Sequence, residues 1–113
     1  MKSPEEHLEE LYKYSGKSFG VEEKALIEKA YFFSKKAHVN QLRNSGEPYF
    51  THVFEVAKNC ASLGADAITI SGALLHDTLE DTDITEEEFK KEFGEEILFL
   101  VSGVTKLGKL KYQ

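Results

Sequence analysis

A chain of 113 residues, 41% hydrophobic and 30% charged, holds one globular core at most and is too apolar to stay disordered. Its net charge of −6, from 20 acids against 14 bases, gains nothing from counterion release on a nucleic-acid backbone, so DNA or RNA binding through charge alone is disfavoured. The lone Cys60 cannot close an internal disulfide, the acidic opening Met1–Glu6 has no apolar signal region, and no stretch is long enough to span a bilayer, which predicts a cytoplasmic protein.

Taken in order, the elements are all helices. Ser3 is an N-cap with Pro4 at the first helical position, opening a short helix that runs to about Tyr14. After the break at Gly16–Gly20, apolar or small residues at 26, 27, 30, 31, 34 and 37 set a helical stripe over Val21–His38. The turn residues Asn44-Ser45-Gly46-Glu47-Pro48 form a loop. Thr51 is expected to cap a third helix with an inner face of Val53, Val56, Ala57, Cys60 and Ala61. Asp66 is expected to cap a fourth that runs unbroken to about Asp81. Its Ile68-Thr69-Ile70 run has strand propensity, but length and flanking pattern favour helix. Thr85 with Glu88 is a capping box for a fifth helix to Phe93, and residues 97, 98, 100, 101 and 104 give a sixth its apolar face. The fold class expected is all-α, with no internal repeat or domain boundary.

The chemistry is concentrated in His76-Asp77-Thr78-Leu79-Glu80-Asp81. On a continuous helix, residues 76, 77, 80 and 81 share an arc of about 140° at 3.6 residues per turn. That places carboxylates in the last turn, where the helix dipole disfavours them, and such broken local rules mark functional sites. A divalent cation relieves the repulsion, and an adjacent nitrogen and oxygen donor suits Mn²⁺, Fe²⁺ or Zn²⁺ better than Ca²⁺. The plain alternative is a solvated acidic helix end. His52, near the start of the third helix, sits where the dipole keeps an imidazole neutral as a ligand must be; the alternative is a capping or partly buried histidine. Just before it, Arg43 offers a phosphate fork and Tyr49 a ring to stack or to pack as a lid.

Several spaced segments in order resemble the HD hydrolase domain of the RelA/SpoT family. They are Ala37-His38, Gln41, Arg43, the Ser45-Gly46-Glu47-Pro48-Tyr49 loop, His52, Leu74-Leu75-His76-Asp77, Glu80-Asp81-Thr82, Phe93-Gly94 and Gly103-Val104-Thr105-Lys106. The resemblance implies an all-α HD-domain helical bundle and metal-dependent hydrolysis of the 3′-pyrophosphate of guanosine tetra- or pentaphosphate. It implies His52, His76 and Asp77 as ligands of Mn²⁺, Glu80 and Asp81 as catalytic acids, and Arg43, with Tyr49 beside it, for substrate binding. His38, on an inner stripe, is expected to be a core histidine or a support behind the ligands.

Val53 follows His52 where relatives commonly carry proline, a change confined to the stiffness of the helix start. The family's fourth ligand is an aspartate on a later helix, and the chain reaches Tyr112-Gln113 first, so residues 1–113 are read as the N-terminal part of one such domain, with synthetase and regulatory domains expected downstream. Two other readings stay open: an HD phosphohydrolase acting on another nucleotide, and a catalytically idle regulatory module of a nucleotide synthetase.

Overall fold

The computed structural model describes residues 3–111, with side chains through Gly103. Six helical segments follow one another among the described residues: α1 (Pro4–Ser15), α2 (Val21–Ala37), α3 (Tyr49–Ser62), α4 (Ala67–Leu75), α5 (Thr78–Asp81) and α6 (Glu86–Lys111). The only β pairing among them is an isolated bridge between Leu42 and Pro48. The all-α class is as expected, and Ile68-Thr69-Ile70 is helical. No helix among the described residues is long and apolar enough to cross a membrane.

Local chemistry starts most of these helices where the sequence signals them. The Ser3 hydroxyl accepts from the Glu6 N–H while the Glu6 carboxylate takes the Ser3 N–H, each at 3.2 Å. Asp66 Oδ1 accepts from the Thr69 N–H at 2.8 Å, and Thr85 Oγ1 from the Glu88 N–H at 3.1 Å. Caps of this kind each contribute about 1 kcal/mol.

The helix α4 is the hub, packed against α2, α3 and α6, while α1 lies on α3. The core joins Leu11, Ile27, Ala30 and Tyr31 to Val53, Phe54, Ala57, Ile70, Leu74, Leu75, Phe89 and Val101. From the expected stripe of α2, positions 27, 30, 31 and 34 are buried and 26 and 37 half-buried. On α3, Val53, Ala57 and Ala61 are buried as expected, Val56 and Cys60 only partly, and Phe50 and Phe54 complete the face. On the last helix Ile97 and Val101 are buried and Leu98 partly so, Leu100 is largely at the surface, and Val104 lies outside the described side chains. Gly72 lets α6 approach, since a Cβ there would stand 3.2 Å from a Leu100 methyl.

Two boundaries differ from expectation. Helix α3 starts at Tyr49 with Pro48 as its extended N-cap, so Thr51 and His52 lie inside its first turn. The reason is the preceding loop: Arg43 N–H bonds the Glu47 carbonyl and Tyr49 N–H the Gln41 carbonyl, each at 2.8 Å, and these bonds with Pro48's fixed φ set the helix direction early. The fourth helix stops at Leu75, and His76-Asp77 is a turn before the four-residue α5. The division expected after Phe93 is present: the segment from Glu86 to Lys111 is interrupted at Gly94, whose φ of 86° and ψ of 171° belong to a region open only to glycine.

Candidate active site

The break between α4 and α5 builds the site. His76 keeps helical angles, but Asp77 has φ −95° and ψ −2°, the sparsely populated bridge region where many active-site residues sit. The His76 ring turns back on its own helix, with Nδ1 2.5 Å from the Ala73 carbonyl. A carbonyl can only accept, so Nδ1 carries the hydrogen and the Nε2 lone pair points away from the backbone. Nε2 lies 3.1 Å from Asp77 Oδ2. The acid-rich arc expected at the end of one helix is therefore divided between a turn, holding His76 and Asp77, and a single helical turn, holding Glu80 and Asp81.

Tyr49 ties this turn to the rest of the fold. Its hydroxyl donates to Asp77 Oδ2 at 2.6 Å and lies 3.4 Å from Asp81 Oδ2. Its ring stands 5.1 Å from His38 and 5.7 Å, edge-on, from His52. Tyr49 thus packs between two histidines and holds an aspartate. Arg43 and Tyr49 line one side of an open depression with Leu42, Asn44, Ser45 and Glu47. Arg43, Glu80 and Asp81 are exposed, and His76, Asp77, His52 and Tyr49 are partly buried.

His38 is buried, as its place on the α2 stripe foretold, and its Nδ1 lies 2.9 Å from Gln41 Oε1. Gln41 in turn donates through Nε2 to the Asp81 main-chain carbonyl. Sequence reasoning gave Gln41 no task. The signals available were its place among the family-like segments and its position three residues after His38, across the turn that ends α2.

Electrostatics couple the pair. The hydrogen bond to Asp77 raises the His76 pKa above its ordinary 6.5 against the opposing effect of burial, with a further contribution from the Ala73 carbonyl. Burial pushes the Asp77 carboxyl up, but hydrogen bonds from His76 and Tyr49 outweigh it and hold the carboxyl below 3.8. Burial, then the hydrogen bond to Asp77, pushes the Tyr49 phenol well above its ordinary value, so it stays a donor. A raised histidine stabilises the fold below its unfolded pKa and loses that contribution as pH rises through the folded one. A lowered aspartate stabilises above its unfolded pKa and loses its share as pH falls through the folded one. The pair therefore stabilises the metal-free chain fully between about pH 4 and 6.5 and progressively less above. Urea unfolding of wild type and His76→Gln is expected to show a larger stability gap at pH 5.5 than at pH 8.5, and a gap independent of pH would contradict the pairing.

The donor set fits a divalent cation. Without one, Nε2 and a carboxylate oxygen meet lone pair to lone pair unless a proton lies between them. The 3.1 Å separation is also close to the roughly 3 Å between neighbouring donors on one ion with bonds of about 2.1 Å at right angles. Among the described residues, no three His, Cys, Asp or Glu side chains already converge on one point, and His52 stands edge-on against the Tyr49 ring that bonds Asp77.

With this geometry in view, the comparisons with known proteins are specific. Residues 30–113 match the HD domain family, and the chain belongs to that family. Its HD region is of the RelA/SpoT kind, as the motifs suggested. It is 56% identical over 87 residues to a guanosine-3′,5′-bis(diphosphate) 3′-pyrophosphohydrolase of Aquifex aeolicus, covering 77% of this chain and 12% of that protein. A GTP pyrophosphokinase of Myxococcus xanthus is 54% identical over 84 residues, covering 74% of this chain and 11% of that protein. Another, of Streptomyces coelicolor, is 45% identical over 86 residues, covering 76% and 10%. The chain thus spans only about a tenth to an eighth of the length of these relatives.

Proposed function

We propose that this domain hydrolyses the 3′-pyrophosphate of guanosine tetra- and pentaphosphate, releasing pyrophosphate and GDP or GTP, in the cytoplasm and within a larger RelA/SpoT-type protein. The observation that carries the reading is the His76–Asp77 pair: a nitrogen and an oxygen donor 3.1 Å apart, the ring locked by Ala73 and the carboxylate by Tyr49. The activity in the name of the Aquifex relative supports the choice of substrate.

In this reading His52, His76 and Asp77 hold a divalent cation of the Mn²⁺ type, which supplies Lewis acidity toward water and a phosphoryl oxygen. The remaining work falls to the chain's own groups. The Tyr49 hydroxyl donates to Asp77 and keeps its carboxylate ionised and oriented. Glu80 and Asp81, exposed beside the pair on α5, orient the attacking water and take its proton. Water adds to the phosphorus joined to O3′, the P–O3′ bond breaks, and the ribose oxygen leaves with a proton. Arg43 offsets the charge of the nucleotide at the open side of the site, where carboxylates alone would repel a polyanion.

The test is pyrophosphate release from guanosine tetraphosphate with Mn²⁺, using the 113-residue chain and a version extended beyond Gln113 as in the relatives. We expect clear release from the extended protein and little from the short one, because the family's fourth ligand lies on a later helix and a metal site short of one ligand binds weakly. Equal rates in both would overturn this carry-over of the family's metal site. The pyrophosphokinase names of the Myxococcus and Streptomyces relatives favour a second reading, an idle regulatory module beside a synthetase. An extended protein that binds Mn²⁺ yet releases no pyrophosphate would select it. Release from a different nucleotide in a substrate panel would instead point to another HD phosphohydrolase.

A further inference from the structure

Gln41, in the turn that follows α2, is bonded on four sides. Its N–H donates to the His38 carbonyl at 3.0 Å, and its own carbonyl accepts from the Tyr49 N–H at 2.8 Å. Its side-chain Oε1 lies 2.9 Å from His38 Nδ1, and its Nε2 donates to the Asp81 main-chain carbonyl. The bond to a carbonyl requires the amide nitrogen there, so Oε1 is the acceptor and His38 Nδ1 carries the hydrogen. A flipped amide would set its oxygen against the Asp81 carbonyl and lose that bond. His38 cannot drift to accommodate a change, because it is 1% exposed and its ring packs on Tyr49 at 5.1 Å.

The far end of this link needs it. Helix α5 is one turn, Thr78–Asp81, too short to be stable by its own hydrogen bonds. The Asp81 N–H is satisfied by the Asp77 carbonyl at 2.9 Å, but the Asp81 carbonyl lies at the helix end, where no intrahelical donor follows. Gln41 supplies that donor from outside the helix. One side chain therefore joins the end of α2 to the end of α5, while its main chain holds the start of α3 where Tyr49 grips Asp77.

We propose that Gln41 is a positioning residue for Asp81, holding α5 so that the Asp77 and Asp81 carboxylates keep a fixed spacing across the Tyr49 hydroxyl. Its catalytic consequence rests on the hydrolase reading above, whereas its effect on α5 does not. Gln41→Ala removes both side-chain bonds. Gln41→Glu keeps an acceptor for His38 but sets a carboxylate oxygen against the Asp81 carbonyl.

Amide hydrogen exchange on the 113-residue chain reads the geometry. Both variants are expected to speed exchange at Asp81 about tenfold, the worth of one hydrogen bond, and to leave core amides of α2 and α3 unchanged. In the extended protein with Mn²⁺ and guanosine tetraphosphate, kcat is expected to fall about 10- to 100-fold, with KM and Mn²⁺ affinity within about threefold of wild type. Unchanged exchange at Asp81, or faster exchange throughout the core, overturns the proposal. So does an unchanged kcat, a loss shared equally by Mn²⁺ affinity, or a Gln41→Glu variant that behaves as wild type. If the wild-type extended protein hydrolyses nothing while exchange at Asp81 still responds, the hydrolase reading fails and the bracing of α5 stands.

Discussion

Glu80→Gln in the extended, Mn²⁺-loaded protein is expected to lower kcat by about 10²–10⁴, the usual worth of a positioned acid–base group. The substitution keeps the side chain's length and one acceptor oxygen, and removes the negative charge and with it the ability to take a proton. Glu80 lies on α5, exposed, one helical turn from the His76–Asp77 pair, which Ala73 and Tyr49 lock in place. Mn²⁺ affinity should therefore change little while turnover collapses. Steady-state kinetics beside a Mn²⁺ titration separates the two quantities. A Glu80→Gln variant with normal turnover removes Glu80 from the reaction, and one that loses its metal makes it a ligand instead.

The second large effect concerns the ligands themselves. His76→Ala is expected to weaken Mn²⁺ binding to the extended protein by at least about 100-fold, the upper range seen when even an outer-shell partner is removed. The anchored ring explains the size: Nδ1 is committed to Ala73, so Nε2 is already aimed, and little ordering cost falls on binding. Ca²⁺, which takes oxygen ligands, should bind more weakly than Mn²⁺ and respond less to the same substitution. Calorimetric titration of both ions decides it. Equal Mn²⁺ affinity in wild type and His76→Ala would remove His76 from the ligand set.

Much of this architecture is legible in the sequence, for identifiable reasons. Ser3, Asp66 and Thr85 announce helix starts because a short side-chain oxygen can meet a local N–H without help from the rest of the fold. The α2 stripe was readable because burial on one face repeats with the helix period. The start of α3 was misplaced because it is decided by loop hydrogen bonds between residues several positions apart, which leave no periodic trace. The break after Leu75 escaped notice for a related reason. It involves no glycine or proline, only a histidine ring folding onto a carbonyl three residues back.

The candidate site divides in the same way. Asp77 and His76 stand out by residue type and adjacency. Gln41 stands out only as a member of the family-like segments, and nothing in the sequence shows that its two ends meet His38 and Asp81. Tyr49 stood out as a ring beside a loop, but its hydroxyl contact with Asp77, 28 residues further on, is purely tertiary.

Gly94 has a consequence for how the last helical segment tolerates change. In an unbroken helix, Phe89 and Val101 would point about 120° apart around the axis at 3.6 residues per turn. Both are nonetheless fully buried. The glycine resets the rotational phase, so the stretch before it and the stretch after it can each aim a narrow apolar stripe without sharing a common register. A one-residue insertion at this joint is absorbed as a new joint angle. The same insertion between Ile97 and Val101 would swing every later side chain by about 100° and turn the Val101 position out of the core.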